Sequence, residues 1–151
     1  MLFRSQMSGP PYSLPWGSFA EFFQSRVIDE RVADRAYLTY YDDERSVHRR
    51  YTYRQFGDMV ARMATFMEDG LGLQRGDRVA TVLFNHDETV LVYFAAWTLG
   101  VAVVPINVEE AADKKRYILE HSEAKVAFCW HELADSIDEF ASGVPGLQQV
   151  V

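Results

Sequence analysis

Cysteine is nearly absent from this chain: Cys129 is the only one in 151 residues. No intrachain disulfide and no cysteine-based metal cluster can form, and a reducing, cytoplasmic home is expected. Positive charge is also in deficit. Lys and Arg number 15 against 22 Asp and Glu, for a formal charge of -7. A chain so balanced releases few counterions from a phosphate backbone, so no nucleic acid partner is expected. The four histidines (His48, His86, His121 and His131) show no metal-ligand spacing among themselves or with Cys129, and no metal site is expected. Neither a Gly-x-Ser-x-Gly elbow nor a Gly-x-x-x-x-Gly-Lys loop occurs.

A membrane span is excluded by pattern rather than by composition. Thr89 to Val108 carries no charged residue, which is long enough to cross a bilayer. Gly100 and Pro105 interrupt it, Asn107 is polar, and both flanks are acidic (Asp87–Glu88 and Glu109–Glu110). The spacing also changes from helical (Val90, Phe94, Trp97) to a β-branched run (Val101, Val103, Val104, Ile106), so it reads as a buried helix followed by a buried strand. At the N-terminus, Pro10, Pro11 and Pro15 occupy the place of an export signal's apolar core.

What is present is a substantial apolar content, 48% hydrophobic with 14% aromatic, enough for a packed core. Residues 1–17 hold three of the five prolines and read as an irregular arm. Residues 18–50 read as a helix and a hairpin. Ser18 and Glu21 are spaced as a capping box, with Phe19, Phe22, Phe23 and Val27 as its stripe. Strands 36–41 and 47–53 flank a polar turn, Asp42-Asp43-Glu44-Arg45, read as solvated with no ligand role.

Residues 51–151 read as an α/β unit. Thr52 and Gln55 cap a helix whose face is Phe56, Met59, Val60, Met63, Phe66 and Met67. Gly70 and Gly72 stop it, with Gly70 expected in the left-handed region. The Gly-rich run 70–76 is no dinucleotide fingerprint, because it follows a helix and leads into a strand. Strands are expected at 78–84, 101–106, 125–130 and from 147. Helices are expected from the Asn85–Glu88 cap to Leu99, over 110–121 and over 132–140. Strands apolar throughout, each about one βα unit apart, predict an open, doubly wound, mostly parallel sheet with helices on both faces. Ligands of such sheets bind beyond the carboxyl ends of the strands. That edge carries Asn85, His86, Asn107, Trp130 and His131, but no constellation of catalytic residues.

A family resemblance rests on order and spacing: Tyr51-Thr52-Tyr53-Arg54-Gln55-Phe56, then Gly70 through Ala80, Asn85-His86-Asp87-Glu88, Ala95 through Asn107, and Tyr117 through Lys125. Together these resemble the start of the adenylate-forming enzymes, the AMP-dependent synthetases and ligases, with the acyl-CoA synthetase branch nearest. The resemblance covers about residues 18–151. It implies a parent enzyme that uses ATP, Mg and CoA to activate a carboxylic acid and pass it to CoA. It also implies that the adenylation motifs lie C-terminal to this stretch, so the chain is expected to be an inactive N-terminal fragment with no catalytic residue of its own. Asn107, Trp130 and His131 match the region near the CoA nucleotide. A free-standing flavodoxin-like binding or regulatory domain is the alternative. In the resemblance, residues 18–53 pack against a sheet built from later sequence. Phe19, Phe22, Phe23, Tyr37 and Tyr41 are then expected to be partly uncovered, and the chain to self-associate, most simply as a homodimer.

Overall fold

The computed structural model describes residues 13–151; the first 12 residues of the expected arm lie outside the described residues. Helix α1 spans Phe19–Ile28, followed by strands β1 (Ala36–Asp42) and β2 (Val47–Thr52) and helix α2 (Tyr53–Thr65). Then come β3 (Arg78–Val82), α3 (Asp87–Leu99), β4 (Ala102–Pro105), α4 (Ala112–Ser122), β5 (Val126–Cys129), α5 (Ile137–Ala141) and β6 (Gln149–Val150). β1 and β2 form an antiparallel hairpin; β3 to β6 form one parallel sheet in the order β4-β3-β5-β6.

The sheet is parallel because its strands have two apolar faces. Successive side chains of a strand point to opposite sides. Val79 of β3 and Val126 and Phe128 of β5 face Met67, Val92 and Ala95 beneath α2 and α3. Ala80, Val82 and Ala127 face Leu119 and Phe140 beneath α4 and α5. Only a sheet covered on both sides buries such strands, and the predicted doubly wound α/β class holds. A third cluster joins Phe23 of α1, Tyr37 of β1, Phe56 and Val60 of α2 and Phe94 of α3. It fastens the N-terminal helix and hairpin to the outer side of α2 and α3.

Several elements differ from the sequence expectation for local reasons. Ser18 caps α1 by accepting from Glu21 N at 3.1 Å, but the Glu21 carboxylate accepts from Gly17 N at 2.7 Å rather than from the cap residue. The second capping box forms as expected, with Thr52 and Gln55 exchanging bonds of 3.2 and 3.0 Å. α2 widens into one π-helical turn, Phe66–Gly70, closed by Leu71 N donating to Phe66 O. The turn rotates Phe66 outward and Met67 into the core. The left-handed stop belongs to Gly72 (φ 64°) and not to Gly70, whose φ is not positive. Asn107 delays α4 to Ala112: its Oδ1 accepts from Glu109 N at 3.0 Å and its carbonyl from Glu110 N at 3.1 Å, so residues 107–110 form a turn. The helix expected at 132–140 divides into a 3-10 segment, His131–Ser136, and the short α5.

Of the aromatics expected to lack cover, Phe23 is buried and Tyr37 is packed among Phe23, Tyr53 and Phe56. Burial, with a contribution from Tyr53, pushes the Tyr37 phenol up to about 12. Phe19, Phe22 and Tyr41 do remain exposed. No helix among the described residues is long and apolar enough to cross a membrane.

Gly57 shows how closely α1 approaches α2. A Cβ there would stand 2.7 Å from both γ-carbons of Val27. Gly57→Ala is therefore expected to lower stability by about 1–3 kcal/mol through overpacking, although Ala is the better helix former by ~1 kcal/mol. Adding Val27→Ala should recover most of the loss. Urea melts of the two single variants and the double variant check this; a stabilised Gly57→Ala chain would contradict the close approach.

Candidate functional site

In the order β4-β3-β5-β6, the chain leaves β3 toward one side and returns to the other, so the strand order reverses between β3 and β5. At such a reversal the loops beyond the carboxyl ends splay apart and leave a crevice. Here the crevice holds about 210 Å³ and is lined by Phe84, Asn85 and His86 after β3, Trp130 and Glu132 after β5, and the hairpin turn from Asp42 to Arg45. Two of the larger apolar grooves hold about 450 Å³: one between α1 and α2 beside Phe23, Ile28 and Val60, and one adjoining the crevice, with which it shares Tyr40, Asn85 and His86. The first lies between two helices, away from the carboxyl ends of the strands, so the strand-end crevice is the better candidate for chemistry.

The hairpin is held over this edge by one carboxylate. Asp87, the first residue of α3, is 3% exposed. Both its oxygens accept from Arg49 Nη1 at 3.1 Å, and Tyr51 Oη donates to Oδ2 at 2.6 Å. Burial, then the bond to Asp87, pushes the Tyr51 phenol up, so it remains a donor at neutral pH. The nearby Tyr51 oxygen, then the Asp87 charge, raises the Arg49 guanidinium further. Carboxylates at a helix N-terminus are favoured by its dipole. The cap is His86, not Asn85 as the spacing suggested: its Nδ1 lies 3.3 Å from Glu88 N and 2.9 Å from Asp87 Oδ1. The His86 ring is flanked by Tyr40 at 4.5 Å and Trp130 at 4.9 Å, centroid to centroid.

The turn read as a solvated acidic run instead closes one wall of the crevice. Arg45 Nη2 donates to Glu132 Oε1 at 2.6 Å, and Arg45 N donates to Asp42 Oδ1 at 3.0 Å. The only sequence signal for this was an arginine ending an acidic turn; its partner stands 87 residues away. Trp130 is 7% exposed, and its indole Nε1 is buried with no hydrogen-bond partner among the described residues. His131 follows it but points to solvent, with Nε2 4.0 Å from Glu132 Oε1. Asn107 lies at the end of β4 on the same sheet edge and does not line the crevice. The structure thus brings Trp130 together with His86 and with the His131 ring, whose centroid is 5.0 Å from that of Trp130, and leaves Asn107 apart from them. Cys129 is no nucleophile: burial pushes its thiol from 9.0 to about 11. Among the described residues, no cluster of His, Cys, Asp and Glu is arranged to hold a metal ion.

Residues 25–151 match the family described as AMP-binding enzyme. The chain belongs to that family. It is 29% identical over 126 residues to a 4-hydroxybenzoate–CoA/benzoate–CoA ligase of Rhodopseudomonas palustris, covering 82% of this chain and 22% of that protein. It is 36% identical over 95 residues to a long-chain-fatty-acid–CoA ligase of Mycobacterium tuberculosis, covering 63% of this chain and 19% of that one. The chain thus spans about a fifth of the length of these relatives. A solved fatty acyl CoA synthetase of Mycobacterium tuberculosis superposes with a TM-score of 0.70 at 26% identity, over 89% of this chain and 26% of that one. A long-chain-fatty-acid CoA ligase structure from Rhodopseudomonas palustris, at 21% identity and a TM-score of 0.76 over 91% of this chain and 33% of that one, shares the fold.

The Asp87 network predicts a measurable coupling. Tyr51→Phe is expected to cost about 1 kcal/mol and Asp87→Ala about 2–3 kcal/mol, because the second leaves Arg49 and Tyr51 without their acceptor. The double variant should cost less than the sum by at least ~0.5 kcal/mol. Denaturant melts of the four chains measure it; strict additivity would mean that the tyrosine and the carboxylate act independently.

Proposed function

We propose that this chain is an N-terminal part of an ATP-dependent acid–CoA ligase. The family match across 25–151 carries the reading. In the reaction proposed, a carboxylate oxygen attacks the α-phosphorus of ATP, held with Mg, and pyrophosphate leaves. The CoA thiolate then attacks the acyl carbon of the adenylate, and AMP departs. This chain contributes a platform rather than the reacting groups: it has no Gly-x-x-x-x-Gly-Lys loop and no catalytic set at the strand ends. Its proposed organisation is an arm (1–17), a helix and hairpin (18–50) and an α/β unit (51–151), working in the cytoplasm. The strand order is also that of flavodoxin-like binding domains, which favours the second reading, a free-standing binding module. Against it, β3 is followed by Leu83-Phe84-Asn85-His86 rather than by a hydroxyl- or glycine-rich phosphate loop.

For the site, Asn107, Trp130 and His131 are proposed to lie near the CoA nucleotide. They end β4 and begin the loop after β5, strands separated only by β3. At the usual strand spacing those ends are about 10 Å apart. Supplied alone, the chain is expected to give no ATP–pyrophosphate exchange with a panel of fatty and aromatic acids. Millimolar CoA is expected to shift the backbone amide resonances of residues 107–110 and the Trp130 indole. Exchange activity above background would overturn the platform reading, and unmoved resonances would overturn the site.

Self-association is the remaining part of the proposal. Leu14, Phe19, Phe22 and Trp97 are exposed, and Phe19 packs edge-on to Trp97 at 5.0 Å, so they form one apolar surface. Pairing that surface across a two-fold axis with a second copy removes it from water. Sedimentation should show a dimer at high concentration that Phe19→Ser weakens; a monomer throughout would refute it.

A further inference from the structure

Lys115 is a charged group in the wrong place for a surface lysine. It sits on α4, 7% exposed, and among the described residues no carboxylate lies within salt-bridge distance of its ammonium. Lysines are almost never buried so deeply without a partner, and an unpaired buried charge is costly. What meets the charge is a backbone carbonyl and a ring. Nζ donates to Val108 O at 2.7 Å and lies 5.3 Å from the centre of the Phe140 ring. The neighbouring Arg116 follows the same pattern, donating to Ser142 O at 2.8 Å and Glu139 O at 3.3 Å. Of the three consecutive cations of α4, Lys115 and Arg116 therefore read main-chain oxygens of the segments beside it, and only Lys114 pairs with an acidic side chain, Glu110.

The Lys115 contact has a particular target. Val108 belongs to the turn that Asn107 organises by accepting from Glu109 N and Glu110 N. Lys115 N donates to Ala111 O at 3.0 Å, the first bond of α4 at its N-cap, so the residue that reaches back to the turn is itself fixed in the first turn of the helix. Phe140, 1% exposed, fixes the ammonium from the side of α5. A methionine would fill the same space without the cost of a buried charge, but it would leave the Val108 carbonyl without a donor. We infer that Lys115 is the positioning residue for the 107–110 turn, its ammonium clamping the Val108 carbonyl so that Asn107 is presented at the carboxyl edge of the sheet. As a role in ligand binding, this rests on the proposed placement of CoA beside Asn107.

Hydrogen exchange of the whole chain tests the clamp separately from that placement. In Lys115→Met, the amides of Glu109 and Glu110 are expected to exchange about tenfold faster, the scale of one charge-assisted hydrogen bond. The amides of the central strands β3 and β5 should remain slow. Lys115→Arg, which keeps a cationic donor, should restore most of the protection. CoA binding, followed by amide shifts, should weaken in the Met variant and recover in the Arg variant. Turn amides that exchange as in the parent chain, or Met and Arg variants that behave alike, would overturn the clamp. A wild-type chain that ignores CoA would overturn only the placement, with the exchange result still deciding the clamp. Should Lys115→Met fail to fold, Phe140→Leu removes the ring beside the ammonium while keeping apolar volume. It should speed the same two amides about threefold, and unchanged exchange there would equally overturn the inference.

Discussion

Asp87 decides where the N-terminal third of this chain sits. A carboxylate at the first position of a helix is favoured by the dipole, but one that is 3% exposed needs its charge met. Arg49 and Tyr51 meet it, and both come from β2. The hairpin thereby swings over the carboxyl edge of the parallel sheet instead of lying against α1 alone. With β2 in place, β1 sets Tyr40 beside His86, and the turn between the strands carries Arg45 to Glu132. The crevice at the strand reversal is the space left under that turn. Without the buried carboxylate the sheet would still form, since its two cores do not include β1 or β2, but its ligand edge would lose a wall.

The parts of the fold legible in the sequence are those governed by local chemistry or by unambiguous burial. The Thr52–Gln55 capping box, the stop at Gly100 and the apolar strands around Ala80 and Ala127 are of this kind. Where the structure departs from the local pattern, another hydrogen bond or packing contact, usually within a few residues, has displaced the expected one. Glu21 was free to bond the preceding amide of Gly17. The ring of Phe66 looked like part of a helical stripe until a π-helical turn moved it out of register. Asn107 looked like the end of a strand and proved to be the organiser of a turn that postpones α4. His86 took the capping role from Asn85 because its neighbours, Tyr40 and Trp130, hold the ring at the helix start.

The site was legible by position only. The carboxyl edge follows from the parallel sheet, and the loops after β3 and β5 could be named as its lining. The hairpin's share could not, because Arg45 meets Glu132 across 87 residues and nothing in either neighbourhood marks the other. Lys115 was hidden for a different reason. In sequence it is one of three consecutive cations, Lys114-Lys115-Arg116, a run of the kind usual on a solvated helix face. Only Lys114 behaves that way, pairing with Glu110 at 2.8 Å one turn earlier. The other two are turned inward by helical phase and end on backbone carbonyls.

This division of labour follows from the sheet itself. β3 and β5 commit both faces to burial, so no residue within them is free to meet a ligand, and Cys129 shows the result: a thiol that burial keeps protonated. Functional groups can stand only where the strands stop, and there the main chain must be held by something other than ladder hydrogen bonds. In this chain the ends of β3, β4 and β5 are secured by side-chain contacts. Asp87 ties the start of α3 to the hairpin, Arg45 ties the hairpin turn to the loop after β5, and Lys115 ties the turn after β4 to the α4–α5 face. These ties shape the carboxyl edge of the sheet through hydrogen bonds and ion pairs between elements, which is what the proposed platform role would require of it.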